Sequence, residues 1–196
     1  MEALQLQRWT LFGVLSAWFF FGAIFLFRRR PPASSEKIRD PMGTVGLVLQ
    51  GVGFGIVWTA RRSPGSPLFD APLLVLAGVA ALDVALAIVS VTLILYSVRA
   101  LGRQWALAAR LVEGHQLVTG GPYRYVRNPI YAGMLGMLLA IGVAWSRPLG
   151  LVLGALLFCA GTVARIRAEE RLLRTAFGET WEAWAGRTPA LLPGIW

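Results

Sequence analysis

Residues 129–164 read PIYAGMLGMLLAIGVAWSRPLGLVLGALLFCAGTVA. One charged residue, Arg147, interrupts two apolar runs, Pro129 to Ser146 and Pro148 to Ala164. Each run opens on a proline, which suits the first turn of a helix because the N–H it lacks has no intrahelical partner there. At about 1.5 Å per residue, either run nearly covers the roughly 30 Å hydrocarbon layer of a bilayer. The pair is predicted to be a tight helical hairpin in a membrane. The alternative is one re-entrant element that does not fully cross.

Working outward, three more apolar segments have spanning length: Trp9 to Phe27, Met42 to Ala60, and the long Ala71 to Val98. The whole chain is 56% hydrophobic and only 15% charged, with a mean hydropathy of +0.61. Soluble domains carry more charge than that. A leading signal peptide is disfavoured for the first run, because its charges follow the apolar stretch and no small-x-small cleavage site is evident. The chain is therefore predicted to be an all-α integral membrane protein. It should have about five transmembrane helices, a C-terminal helical hairpin and cytosolic amphipathic helical segments.

The net charge of +9 comes from 18 Arg and one Lys against ten acids. These cations flank the apolar runs and form no single patch, which argues against nucleic acid as a partner. Counted by alternate sides of the five spans, fifteen cations stand against four. The excess marks the cytoplasmic side, so the N-terminus is expected outside and the C-terminus in the cytoplasm. The Arg-over-Lys bias suggests a GC-rich bacterial source and hence the inner membrane. A lone cysteine (Cys159) and a lone histidine (His115) give no basis for an internal disulfide or a transition-metal site. Gly51 with Gly55, and Gly150 with Gly154, have the small-xxx-small spacing that lets helices approach closely. Asp83, in mid-span, is either a polar pocket or proton-linked residue or the donor or acceptor of a helix-to-helix hydrogen bond.

The polar chemistry gathers at the two flanks of the hairpin. Before it stands HQLVTGGPYRYVRNPIY, residues 115–131, with the only histidine and three of the four tyrosines. Gly120, Gly121 and Pro122 break a helix and expose backbone amides to a ligand. Tyr123 and Tyr131 offer aromatic faces to a cation or a flat base. Asn128 precedes Pro129 where a helix N-cap would stand. After the hairpin, Arg165 and Glu169 are four residues apart and share a helix face, with Glu170 about 100° further round. Phe177, Trp181 and Trp184 form a stripe best read as packing or an interfacial anchor. The two flanks should meet at one membrane face.

Taken together, HQLVTGGPYRYVRNPIYAG, an apolar hairpin, and EERLLRTAFGETWEAWAGRTPALLP (residues 169–193) resemble the isoprenylcysteine carboxyl methyltransferase family of integral membrane methyltransferases, related to phospholipid methyltransferases. The resemblance covers roughly Leu101 to Pro193. It implies one membrane domain, 1–196, with three spans in 1–98 and a methyltransferase core in 99–196. It further implies S-adenosyl-L-methionine as methyl donor, S-adenosyl-L-homocysteine as product, and a lipid-soluble acceptor arriving from the bilayer, with a carboxylate the first candidate. By motif position, His115, Gln116, Leu117 and Val118 would form one wall of the cofactor site. Gly121, Tyr123, Arg127, Asn128, Pro129, Ile130 and Tyr131 would line another, and Glu169 with its neighbour Glu170 would complete it. Arg165 would hold the acceptor carboxylate, and Arg165 and Glu169 would be the catalytic pair. The family usually has His where this chain has Asn128, which cannot titrate near neutral pH. Alternatives are N- or S-methylation of a phospholipid or small molecule, a nicotinamide-dependent reductase of the sterol type, and a membrane scaffold without activity.

Overall fold

The computed structural model describes residues 1–27, 36–102, 110–112 and 116–192. His115 lies outside the described residues. The described residues form six α-helices and a two-stranded ribbon: α1 (Glu2–Leu26), β1 (Glu36–Arg39), α2 (Pro41–Thr59), α3 (Leu73–Leu101), β2 (Arg110–Val112), α4 (Pro129–Trp145), α5 (Pro148–Phe177) and α6 (Glu179–Ala185). Four helices (α1, α2, α3 and α5) are long and apolar enough to cross a membrane, and α4 is a shorter apolar helix of 17 residues. The molecule is an integral membrane protein.

Local sequence sets the helix ends. Asp40 caps α2 by accepting a hydrogen bond from the Met42 N–H at 2.8 Å, and Pro41 takes the first helical position. Pro129 and Pro148 open α4 and α5 in the same way. Gly102 and Gly178 end α3 and α5 with φ of +56° and +50°, where a Cβ would be strained. Residues 36–39 pair antiparallel with 110–112, opposite Arg39↔Arg110, Ile38↔Leu111 and Glu36↔Val112, with a register shift between Glu36 and Ile38. Both strands are too short to carry a periodic signal.

Lipid tails are as apolar as leucine, so packing in the bilayer depends on close fit and interhelical hydrogen bonds. Here α5 lies along α2, while α3 contacts both α4 and α1. Glycines let the α2–α5 backbones touch. A Cβ added to Gly46 would sit 2.5 Å from the Gly161 carbonyl oxygen, and one on Gly53 would sit 2.6 Å from that of Gly154. On α5 the expected Gly150 and Gly154 do face α2. On α2 the contact face is Gly46 and Gly53, while Gly51 and Gly55 are exposed, and a methyl group added to either would meet nothing within 4 Å. Spacing alone left the rotation of α2 open. Gln50 adds a buried hydrogen bond to the Thr162 hydroxyl at 2.8 Å. Above it, Trp18, Phe21, Phe54, Trp58 and Phe158 pack edge to face.

The two ends of the bundle differ. At one end the α4–α5 turn is tied to the α2–α3 loop. Arg62 N–H donates to the Trp145 carbonyl (2.9 Å), Arg147 N–H to that of Ala60 (2.7 Å), and Arg61 bridges Ser146. The Arg62 guanidinium donates to the carbonyls of Ser146 (2.6 Å) and Val143 (2.7 Å), satisfying groups that the end of α4 leaves open. Gly65, at φ +85°, brings the same loop against Leu4 and Arg8 of α1. At the other end lie the ribbon, the two polar flanks of the hairpin, and an Asp40–Arg171 ion pair of 2.8 Å. Asp83 is buried in α3, and neither carboxylate oxygen has a hydrogen-bond partner among the described residues. The helix-to-helix hydrogen bond is therefore not formed there.

Candidate active site

The site forms where α4 begins and α5 leaves the apolar bundle. Pro129 starts α4, so Tyr131 sits in its first turn and points at α5. There Arg165 is 4% exposed. Its Nε donates to the Tyr131 hydroxyl at 2.7 Å, and the hydroxyl in turn donates to Glu169 Oε1. Arg165 Nη2 reaches the same carboxylate at 3.3 Å. The Arg165 guanidinium also lies 5.2 Å from the centre of the Tyr131 ring. Tyr131 is thus the link between a buried cation and a carboxylate whose side chain is 28% exposed. The cation it stacks on in this structure is Arg165.

A second cluster ties the chain's tail to the start of α4. Arg127 Nε pairs with Glu170 Oε1 at 2.8 Å. Its Nη1 donates to the carbonyls of Ala185 (2.9 Å) and Thr188. The backbone N–H groups of Arg127 and Asn128 donate to Pro189 and Ala190 carbonyls at 2.9 and 3.0 Å. Asn128 occupies the N-cap position of α4, yet its side chain makes no cap hydrogen bond; the amide donates to the Ala190 carbonyl at 3.0 Å. Trp181 is 2% exposed, with the Arg127 and Arg174 guanidiniums 5.8 and 4.8 Å from its ring. Within the aromatic stripe Trp181 therefore packs, while Phe177 and Trp184 are half-buried.

Between the clusters, Gly121 has φ +60° and opens a 3-10 turn, Gly121–Arg124. That turn buries Tyr123. Burial, reinforced by the Glu169 charge, raises the Tyr123 phenol above its ordinary value, so it stays protonated. Gln116 to Thr119 run without regular structure, with Gln116 exposed and Leu117 and Val118 half-buried. Pro129 is buried, and Ile130 packs on the apolar core. The structure thus joins Tyr131, Arg165 and Glu169 in one network, with Tyr123 close enough to feel the Glu169 charge. Arg127, Asn128 and Glu170 stand in the adjoining clamp. Two further features were not expected from sequence. The Asp40–Arg171 pair joins residues 131 positions apart, which no local pattern reveals. Arg62, in the loop between α2 and α3, caps the end of α4.

The donor set suits a sulfonium-bearing methyl donor: a half-buried carboxylate at Glu169 beside aromatic Tyr131 and Tyr123, with backbone turned out at Gly121. Among the described residues no group of three His, Cys, Asp or Glu could hold a metal ion.

Comparison with known proteins points the same way. The chain is 37% identical over 100 residues to the cobalt-zinc-cadmium resistance protein CzcN of Cupriavidus metallidurans, covering 50% of this chain and 46% of that one. It is 31% identical over 86 residues to protein-S-isoprenylcysteine O-methyltransferase B of Arabidopsis thaliana, covering 44% of each. The Schizosaccharomyces pombe protein-S-isoprenylcysteine O-methyltransferase is 30% identical over 89 residues, covering 45% of this chain and 38% of that one. The chain spans about half the length of the curated relatives it matches. The sequence profile of the phospholipid methyltransferase family matches residues 79–180, from the N-terminal part of α3 through the Tyr131–Arg165–Glu169 network to the start of α6. With more than half of its residues inside that profile, the chain belongs to the phospholipid methyltransferase family.

Proposed function

We propose that the protein transfers a methyl group from S-adenosyl-L-methionine to a lipophilic acceptor, with a carboxylate as first candidate, at the cytoplasmic edge of the membrane. The observation that carries this is the Arg165–Tyr131–Glu169 network at the point where α5 leaves the apolar bundle. A greasy acid and a charged, water-soluble donor can meet only at such a boundary. Two relatives are named as protein-S-isoprenylcysteine O-methyltransferases, which supports a lipid-linked carboxylate here.

The donor, when bound, supplies a methyl group on a sulfonium: the S–CH3 bond breaks as the acceptor O–CH3 bond forms, leaving S-adenosyl-L-homocysteine and a neutral ester. The chain's own task is placement. Glu169 lies where negative charge favours the sulfonium, and Tyr131 fixes the carboxylate through its hydroxyl. Arg165 sets a positive charge at the end of the apolar bundle, where an acceptor carboxylate would be drawn out of the bilayer. That carboxylate is already ionised at neutral pH, so no general base is required and alignment is the main contribution. Gln116 to Val118, Gly121 and Ile130 form the walls in this reading. Arg127, Asn128 and Glu170 hold the walls by clamping the tail. The charge count favours a cytoplasmic position for this end and an N-terminus outside, with a bacterial inner membrane as the expected location.

The test is a methyl-transfer screen of the purified protein with labelled donor over lipophilic acids, amines and thiols. Label should pass to prenylated or other lipophilic acids in preference to the matched amines and thiols. Transfer to amines alone would replace the carboxylate reading with N-methylation. No transfer to any class would remove the enzymatic reading.

A further inference from the structure

We propose that the end of the bundle remote from the candidate active site binds the phosphodiester of an anionic phospholipid, held by Arg61 and Arg147. A cleft of ≈ 510 Å³ lies between the C-terminal end of α2 and the N-terminal end of α5, lined by Ile56, Thr59, Arg61, Arg147, Leu149 and Leu153, among others. No carboxylate lines it. Neither guanidinium makes a hydrogen bond or ion pair among the described residues, so two positive charges face the same cleft without compensation.

The platform beneath them is built. Arg61 bridges Ser146, Arg62 N–H donates to the Trp145 carbonyl, and Arg147 N–H donates to Ala60. These bonds fix the backbone from which both side chains leave. Arg62, the third cation here, is turned inward onto the Ser146 and Val143 carbonyls and takes no part. The remainder of the lining fits a lipid and not a free anion: Ile56, Leu149 and Leu153 continue the cleft along two membrane-spanning helices, where an acyl chain would lie. Leu149 and Leu153 are exposed, on the lipid side of α5. Two arginines favour a headgroup with net negative charge, because the ammonium of a zwitterionic headgroup offsets its own phosphate.

The experiment is native mass spectrometry of the full chain from detergent containing equal phosphatidylglycerol and phosphatidylcholine. The wild type should retain phosphatidylglycerol about thirtyfold more than the Arg61→Gln/Arg147→Gln variant, taking roughly 1 kcal/mol for each of the two arginines near an anionic headgroup. Phosphatidylcholine should be retained equally by both. Should that variant fail to fold, Leu153→Trp fills the groove, keeps both arginines and should likewise lose phosphatidylglycerol. Equal phosphatidylglycerol retention by wild type and variants would overturn the proposal. So would its displacement from the wild type by millimolar inorganic phosphate, which would make this a free-anion site. Methyl transfer should be unchanged in the variants, since the cleft lies at the far end of α5.

Discussion

Replacing Gly46 with Ala tests whether α2 positions the candidate site through contact alone. The new Cβ would stand 2.5 Å from the Gly161 carbonyl oxygen and 2.5 Å from Arg165 Cγ. Ordinary contact begins near 3.4 Å, so the helices must separate by about 0.9 Å or Arg165 must move. Gly53→Ala makes a matching intrusion, 2.6 Å from the Gly154 carbonyl oxygen, but meets Phe158 and not Arg165. Gly51→Ala makes the same chemical change where a Cβ meets nothing within 4 Å. Helix propensity favours Ala over Gly by up to about 1 kcal/mol at all three positions and cancels in the comparison. Overpacking costs about 1–3 kcal/mol. Against Gly51→Ala, both intruding variants should therefore be less stable by about 1–3 kcal/mol. Thermal unfolding in detergent, followed by circular dichroism, reads that difference. Methyl transfer separates the two: Gly46→Ala should lose about tenfold or more from a displacement of under about 1 Å at Arg165, and Gly53→Ala should keep its activity. Coincident melting of Gly53→Ala and Gly51→Ala would refute the packing argument. Equal activity in Gly46→Ala and Gly53→Ala would refute the link from α2 to Arg165.

Other outcomes follow from the same geometry. Arg165→Ala should lower methyl transfer about 100-fold or more while changing donor affinity little, whereas Glu169→Ala should weaken both; single-turnover rates and binding isotherms separate the two effects. Arg127→Ala leaves Glu170 and the Ala185 and Thr188 carbonyls without their donor, so the protein should lose about 2–4 kcal/mol and its residues after 185 should become sensitive to limited proteolysis. The Arg171 guanidinium beside Asp40, with the Met42 N–H, holds the Asp40 carboxyl below its usual value. A folded-state value below the unfolded one contributes stability above about pH 4, lost as the pH falls through the folded value. Asp40→Asn should therefore melt below wild type at neutral pH by an amount of order 1 kcal/mol or less, since Arg171 is half-exposed, and the gap should close in acid. A gap that persisted at about pH 2 would assign the effect to the helix cap alone.

Much of this architecture was legible because bilayer physics writes it into length and composition. The five apolar runs and the prolines opening α4 and α5 located the helices, although α1 begins earlier, at Glu2, and α5 continues past its apolar run to Phe177. Alternation of the connections also placed the two polar flanks at one end, and there Tyr131, Arg165 and Glu169 do meet. Illegible features share a cause: their partners are distant or are backbone. Gly51 and Gly55 have the same spacing a contact face needs, and only the rotation of α2 makes Gly46 and Gly53 the ones that touch. Arg127 and Asn128 looked like ligand groups because their partners, carbonyls of 185–190, carry no side-chain signature. Tyr131 was expected to face a ligand cation, and the aromatic contact it makes in this structure is with Arg165. The β1–β2 ribbon was hidden because three or four residues hold no readable period.

Calorimetric titration of S-adenosyl-L-homocysteine into the purified protein, wild type against Glu169→Gln, addresses the whole functional reading at once. The wild type should bind with measurable heat at one site, and Glu169→Gln should bind at least about tenfold more weakly, while Arg61→Gln/Arg147→Gln at the far end binds as the wild type does. Absence of heat with both the product and S-adenosyl-L-methionine at high concentration would contradict the account, as would binding indifferent to Glu169.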